Sequence, residues 1–380
     1  MRIFCAGMIV ALLGIFEFVC GSDGIAGSAT FADKKAIFDG DVGLWTKKEE
    51  LDRRLERIKQ AGFNVYMPAV WYGRGTTWPS RHAPWDFTLD SRITESYDPL
   101  RYAVAKAHEL GLEVHPWFTL VLRWNHSFMQ QYGLEGVAEG PHAAFNVHNP
   151  LFREFMTNVV SEVAAEYDID GINLDFGRAM GLCSDVACQE EYEATYHRNL
   201  MTDSLIFKAN PKMVPTLIEY QEKAVTALIR SISDSVRKSK PALLISADGH
   251  PELTRYEQGQ NSIAWVNEGL VDVVFGMDYR PTIDGQAVDR VRSKLTNPNA
   301  LALLISNMEH GADLPPNRKP SPRSGKWLSD TIAMISTRWP NTGLAVYFYK
   351  YLSDEQIAAL QADAFKRRLS APSGVSLIGK

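Results

Sequence analysis

Four acidic residues stand at or just beyond the ends of apolar runs. Paired carboxyl groups, one protonated and one ionised, are what hydrolysis of a glycosidic bond requires. Asp175 closes the stretch YDIDGINLD, Asp248 closes ALLISAD, Asp278 closes VDVVFGMD, and Glu309 follows ALALLISNM. In the first of these Ile172 and Leu174 alternate with Asn173 and Asp175, the period of a strand, after a turn-forming Asp170-Gly171 pair and before Gly177. Asp175 is therefore expected at the C-terminal end of a buried strand, where an α/β barrel carries its chemistry. Its partner is open between Asp248 and Asp278, with Glu309 a third candidate. Asp278 is preferred because it directly precedes Tyr279, whose hydroxyl could position a sugar, and lies beside Arg280. Each acid alone reads equally well as a helix cap or half of an ion pair, but four at strand ends argue for a shared rim.

Other residues would supply contacts to a sugar. His115 and Trp117 point the same way from one strand, as Asn173 and Asp175 do from the next. His115 could hydrogen-bond a hydroxyl, and Trp45, Trp71, Tyr72, Trp124 and Tyr349 could stack on sugar rings, with Asn173, Arg178 and Tyr279 beside the acids. Any one of these aromatics also reads as core filler. The histidines His115, His126, His142, His148, His197, His250 and His310 form no HxH or HxxxH pair near a carboxylate, so neither a metal nor a cofactor is expected.

These residues need a frame, and the chain alternates helix and strand throughout. Helical spacing at 49–61, 100–110, 151–166, 216–238, 263–269, 287–295, 326–338 and 354–369 alternates with strand-like runs at 36–45, 64–71, 113–121, 172–175, 242–248, 271–279, 300–308 and 343–349. Eight strands and eight helices make a (β/α)8 TIM barrel, and apolar strands such as ALLIS suit a parallel sheet covered on both faces. An open doubly wound sheet is the alternative, but no Gly-rich phosphate loop follows the first strand. The irregular stretches 73–94, 123–147, 181–215 and 309–324 all follow strand ends and would form long loops on the C-terminal face.

The runs WYGRGTTWPSRHAPW, YDPLRYAVAKAHELGLEVHPWF, FNVHNPLFREF, YDIDGINLDF and AWVNEGLVDVVFGMDY resemble those of the bacterial glycosyl-hydrolase-like family 10. The resemblance implies a secreted barrel related to glycoside hydrolases and a carbohydrate substrate. The strand ending at Asp175 is also similar to the fourth strand of α-amylase-type barrels, which ends in a nucleophilic Asp, and to that of chitinases. Where a chitinase has its catalytic Glu, this chain has Gly177. In α-amylase-like barrels the acid follows on the fifth strand, which favours Asp248; in α-galactosidase-like barrels it follows on the sixth, which favours Asp278.

The chain has 380 residues, 45% hydrophobic and 22% charged, enough for one catalytic barrel over 30–380. A net charge of −5 without a basic run argues against nucleic acid as a partner. Residues 1–29 read as a signal peptide, with Arg2, the apolar run Met8–Phe16 and the small residues Gly27-Ser28-Ala29, which implies a secreted or periplasmic protein with no membrane association once the leader is gone. Removal of the leader takes Cys5 and Cys20 and leaves Cys183 and Cys188 to form a disulfide beyond Asp175. Three functions fit: a glycoside hydrolase acting through Asp175 and a second acid, a catalytically silent carbohydrate-binding barrel, and a metal-dependent amidohydrolase or deacetylase. Oligomeric state has no signature in the sequence.

Overall fold

The computed structural model describes residues 31–134, 143–252, 258–309 and 318–364; the expected leader, His142 and His310 lie outside the described residues. Eight parallel strands are formed by β1 (Lys35–Asp39), β2 (Val65–Trp71), β3 (in two pieces, Glu113–Val114 and Trp117–Thr119), β4 (Gly171–Asp175), β5 (Leu244–Gly249), β6 (Val273–Asp278), β7 (Leu301–Ser306) and β8 (Gly343–Tyr347). Each pairs with the next and β8 returns to β1, so the sheet closes into a barrel. A helix follows every strand: α1 (Lys48–Gln60), α2 (Pro99–Glu109), α3 (Pro150–Glu166), α4 (Pro215–Ser239), α5 (Ser262–Asn267), α6 (Gly285–Lys294), α7 (Gly325–Arg338) and α8 (Asp354–Ala359). This is the (β/α)8 TIM barrel expected from the alternation.

Local chemistry explains the starts and stops. Asp98 and Asn149 accept backbone N–H groups at the starts of α2 and α3, and proline occupies the first turn of each, where its missing N–H costs nothing. Leu51, Leu55 and Ile58 form the buried stripe of α1, and Gly62 leaves the helix at φ +87°, a conformation that suits glycine. Two expectations need correction. The third strand is not continuous over 113–121 but interrupted at His115-Pro116, since Pro116 has no N–H to add to the ladder. The first strand ends at Asp39, and the chain turns into a short helix, Val42–Trp45.

Two apolar layers result. Inside the barrel lie Phe38, Val65, Met67, Trp117, Leu244, Val273, Phe275, Ala302, Leu304 and Ala345. Between sheet and helices lie their alternates along the strands, among them Ile37, Ile172, Leu174, Ile245, Val274, Ile305 and Val346. At the N-terminal end Phe31 packs edge-on against Phe275, with ring centroids 4.9 Å apart, and near His115. Gly171 on β4 makes room there for the imidazole, because a Cβ would lie 2.6 Å from His115 Nδ1.

Candidate active site

Two carboxylates occupy neighbouring rungs of the barrel interior. Leu174 of β4 pairs with Ala247 of β5, and both turn outward, so the next residues, Asp175 and Asp248, both turn inward on adjacent strands. Both are buried: Asp175 is 6% exposed and Asp248 1%. Asp175 is held by two donors, the indole N–H of Trp117 to Oδ2 at 3.0 Å and the backbone N–H of Phe176 to Oδ1 at 2.7 Å. Burial pushes its carboxyl above the ordinary range, while the nearby Arg178 guanidinium and those two donors pull it back. Asp248 takes one N–H, from Asn173 Nδ2 to Oδ1 at 2.8 Å. Burial, and then the charge of Asp175, drive Asp248 well above the ordinary range, against only that one opposing donor. Both carboxyls are thus raised, Asp248 the more strongly, because it has the charge of Asp175 beside it and fewer donors to offset burial.

An aromatic wall stands over the pair. Tyr72 meets Trp117 edge-on at 5.6 Å, Trp117 meets Tyr347 at 6.3 Å, and Tyr347 stacks on Tyr279 at 5.5 Å. Burial and the charge of Asp175 push the Tyr72 hydroxyl up to about 12. Tyr279 and Tyr347 are raised as well, first by burial, with Asp175 again contributing to both. These phenols therefore stay protonated within the electrostatic reach of the acids, each with a hydroxyl that can donate. Trp124 extends the wall from Tyr72, and the Arg74 guanidinium lies 4.8 Å over its ring.

Of the residues singled out in the sequence, Asp175, Asp248, Tyr72, Trp117, Tyr279 and Trp124 come together here. Arg178 joins them through its field at Asp175, its own guanidinium lying over the Phe176 ring. Asp278, the preferred second acid, does not. On β6 Val273 and Phe275 face inward, so Asp278 faces outward with its rung partner Ile305, where it accepts Arg280 Nε at 2.8 Å and Nη2 at 2.7 Å and the Asp284 backbone N–H at 3.0 Å. Glu309 is likewise taken up, by Ser321 Oγ at 3.0 Å and Arg318 at 3.3 Å.

Five proposed sugar contacts also need correction. Trp45 and Trp71 are fully buried, and a ring without exposed surface has no face to offer a ligand. The ladder between β2 and β3 slips a register between Ala69 and Trp71, which turns Trp71 outward onto Phe145 and Phe155 and brings Tyr72 inward. His115 sits at the opposite, N-terminal end of the barrel, fully buried beside Glu113 Oε2 at 3.1 Å. Asn173 is also fully buried, beneath the acids. Tyr349 packs under the Arg54 guanidinium of α1 at 4.5 Å, away from Asp175. Tyr347 was missed in favour of Tyr349. Counting by two from the inward Ala345 would have found it.

Cys183 and Cys188 are joined by a disulfide in the β4–α4 connection, where Asn146 bonds Asp185 Oδ2 at 3.1 Å. Among the described residues, Cys183, Asp185 and Cys188 are the one group of three metal-ligand types within 4.8 Å of one another, and the disulfide ties up both sulfurs. No helix among the described residues is long and apolar enough to cross a membrane.

Comparison with known proteins bears on the fold and the family. Among solved structures, the glycoside hydrolase domain of PgaB (BpsB) from Bordetella bronchiseptica superposes with a TM-score of 0.60 at 12% identity, over 88% of this chain and 98% of that domain. A β-galactosidase from Marinomonas ef1 gives 0.60 at 11% identity, over 86% and 58%. At such identities the likeness is one of fold, and the fold is that of TIM-barrel glycosidases. The glycosyl hydrolase DigH of Escherichia coli K12 is 19% identical over 264 residues, 60% of this chain and 57% of DigH. YngK of Bacillus subtilis, another glycosyl hydrolase, is 24% identical over 141 residues, 34% of this chain and 28% of YngK. The chain thus spans just over half the length of DigH and about a quarter of YngK. The family model described as glycosyl hydrolase-like 10 matches residues 37–311, from β1 past the end of β7 and across both inward acids, and the chain belongs to that family.

Proposed function

We propose that this protein is a glycoside hydrolase that cleaves a polysaccharide or oligosaccharide by a two-carboxylate mechanism, with Asp175 as nucleophile and Asp248 as general acid. The observation that carries the reading is the inward pair on neighbouring rungs: two buried acids, split by their surroundings into one supported as carboxylate and one that favours its proton. Parallel strands run about 4.8 Å apart, nearer to the carboxyl spacing of about 5 to 5.5 Å at which one carboxylate acts as nucleophile than to the wider one that leaves room for a water. That spacing supports retention of anomeric configuration. Asp248 delivers its proton to the leaving glycosidic oxygen as the bond to the anomeric carbon breaks, and an Asp175 oxygen bonds to that carbon. Water, deprotonated by the Asp248 carboxylate, then displaces Asp175 and restores both groups. Tyr72, Trp124, Tyr279 and Tyr347 offer rings and hydroxyls to the sugar.

A catalytically silent sugar-binding barrel would use the same wall, yet it gives no reason for two coupled acids in the interior, where an ionised carboxyl is costly. Action outside the cytoplasm is supported by the disulfide and by the leader-like segment. The test is a screen of purified protein against bacterial and plant glycans for new reducing ends, followed by proton NMR of the first product formed. Hydrolysis with retained configuration supports the reading. Hydrolysis with inversion would remove Asp175 as nucleophile, and sugar binding without turnover would favour the silent barrel.

A further inference from the structure

We propose that Asn173 is a positioning residue that decides which oxygen of Asp248 carries the proton and steadies the carboxylate left when the proton departs; the proposal rests on the glycosidase reading above. Asn173 and Ser246 lie on facing rungs of β4 and β5, both fully buried inside the barrel. Ser246 Oγ gives its single proton to the carbonyl of Ile172 at 3.0 Å, so toward Asn173 it can only accept. Asn173 Nδ2 supplies one N–H to that hydroxyl at 3.1 Å and the other to Asp248 Oδ1 at 2.8 Å. The hydroxyl therefore settles which end of the amide faces Asp248.

Two consequences follow from that orientation. Asn173 Oδ1 is left buried without a hydrogen-bond partner, an arrangement that natural interiors rarely keep unless the other contacts of the group are needed. Asp248 Oδ1 accepts that N–H best as the carbonyl oxygen of the acid, which leaves the acidic hydrogen to Oδ2. The groups facing Asp248 from neighbouring elements are Asp175 on β4 and Tyr279 after β6, while Gln260 Nε2 donates to the Asp248 main-chain carbonyl at 2.9 Å. Asp175 repels the ionised form, and the Asn173 N–H is the side-chain contact that favours it. When Asp248 gives its proton to a leaving oxygen, that N–H receives the new charge without having to turn. Asn173 is fully buried and touches no sugar, so its effect passes through Asp248 alone.

The experiment follows the protonated-carboxyl C=O stretch of Asp248 by difference infrared spectroscopy across a pH series, with the band assigned by its loss in Asp248→Asn. In Asn173→Leu, similar in volume but without a donor, the midpoint should rise by about 1 to 2 pH units. In Ser246→Ala the amide is free to turn its oxygen toward the Asp248 hydroxyl, and a smaller rise is expected. With a substrate in hand, the alkaline limb of kcat/KM should move in the same direction. A midpoint that stays put or falls in Asn173→Leu overturns the proposal; if that variant does not fold, an unmoved midpoint in Ser246→Ala overturns it instead. The infrared readout needs no substrate, so absence of hydrolysis would count against the glycosidase reading and leave the assignment of Asn173 to be judged separately.

Discussion

Replacing Asp248 with asparagine should make the protein more stable at neutral pH while ending its activity. A buried carboxyl whose folded pKa lies above its unfolded one destabilises the folded state at neutral pH. For Asp248 the cause of that penalty is burial first and the adjacent Asp175 charge second. An amide has the same shape and no charge to desolvate. Its oxygen can accept the Asn173 N–H, and its own N–H groups can turn toward Asp175. The gain expected is about 0.5 to 2 kcal/mol, the usual size of a single stabilising substitution, or a rise in Tm of roughly 1 to 4 °C at about 2 °C per kcal/mol for a chain of this size.

The pH dependence carries the proof. For an acid whose folded pKa is raised, the penalty is absent below the unfolded pKa and grows as pH rises toward the folded one. Parent and variant should therefore melt alike near pH 4 and diverge steadily as the pH is raised to neutral. The assay is calorimetric melting of both proteins over that range. A variant less stable than the parent at pH 7, or a difference that does not change with pH, would refute the claim that Asp248 is a strained, proton-holding acid.

Asp175→Asn should leave the melting temperature within a few degrees of the parent and lower kcat by several powers of ten in a reducing-end assay, since a nucleophile and not a scaffold has gone. Asp278→Asn should do the reverse, because that side chain faces outward and ties Arg280 and the Asp284 backbone: a loss of about 1 kcal/mol by urea titration, with kcat changed less than about threefold. Cys183→Ser should cost about 2 kcal/mol by the same titration, the loop entropy of a cross-link spanning six residues, and reduction of the parent should cost the same.

Much of this molecule can be read from residue order. Alternating apolar periods, capping residues such as Asp98 and Asn149, and stop signals such as Gly62 are local, and an eight-strand alternation leaves little besides a barrel. Asp175 was legible for the same reason, because a carboxylate at the end of a run alternating Ile172 and Leu174 has a position fixed by period two. Which acid faces it was not. Asp248 and Asp278 both end apolar strands, and one lies inward and the other outward only because closure of the barrel sets the parity of each strand against its neighbours. The same parity selects Tyr347 over Tyr349, and a slipped rung after Ala69 buries Trp71 and frees Tyr72. Likewise His115 and Trp117 share a face of one strand but stand at opposite levels of the barrel, and no spacing within the strand says which level meets the chemistry. Sequence therefore determined the elements and their order, through interactions within a few residues. Only the closed sheet, which joins rungs distant along the chain, decided which side chains meet inside it and which acid is buried beside the charge of Asp175.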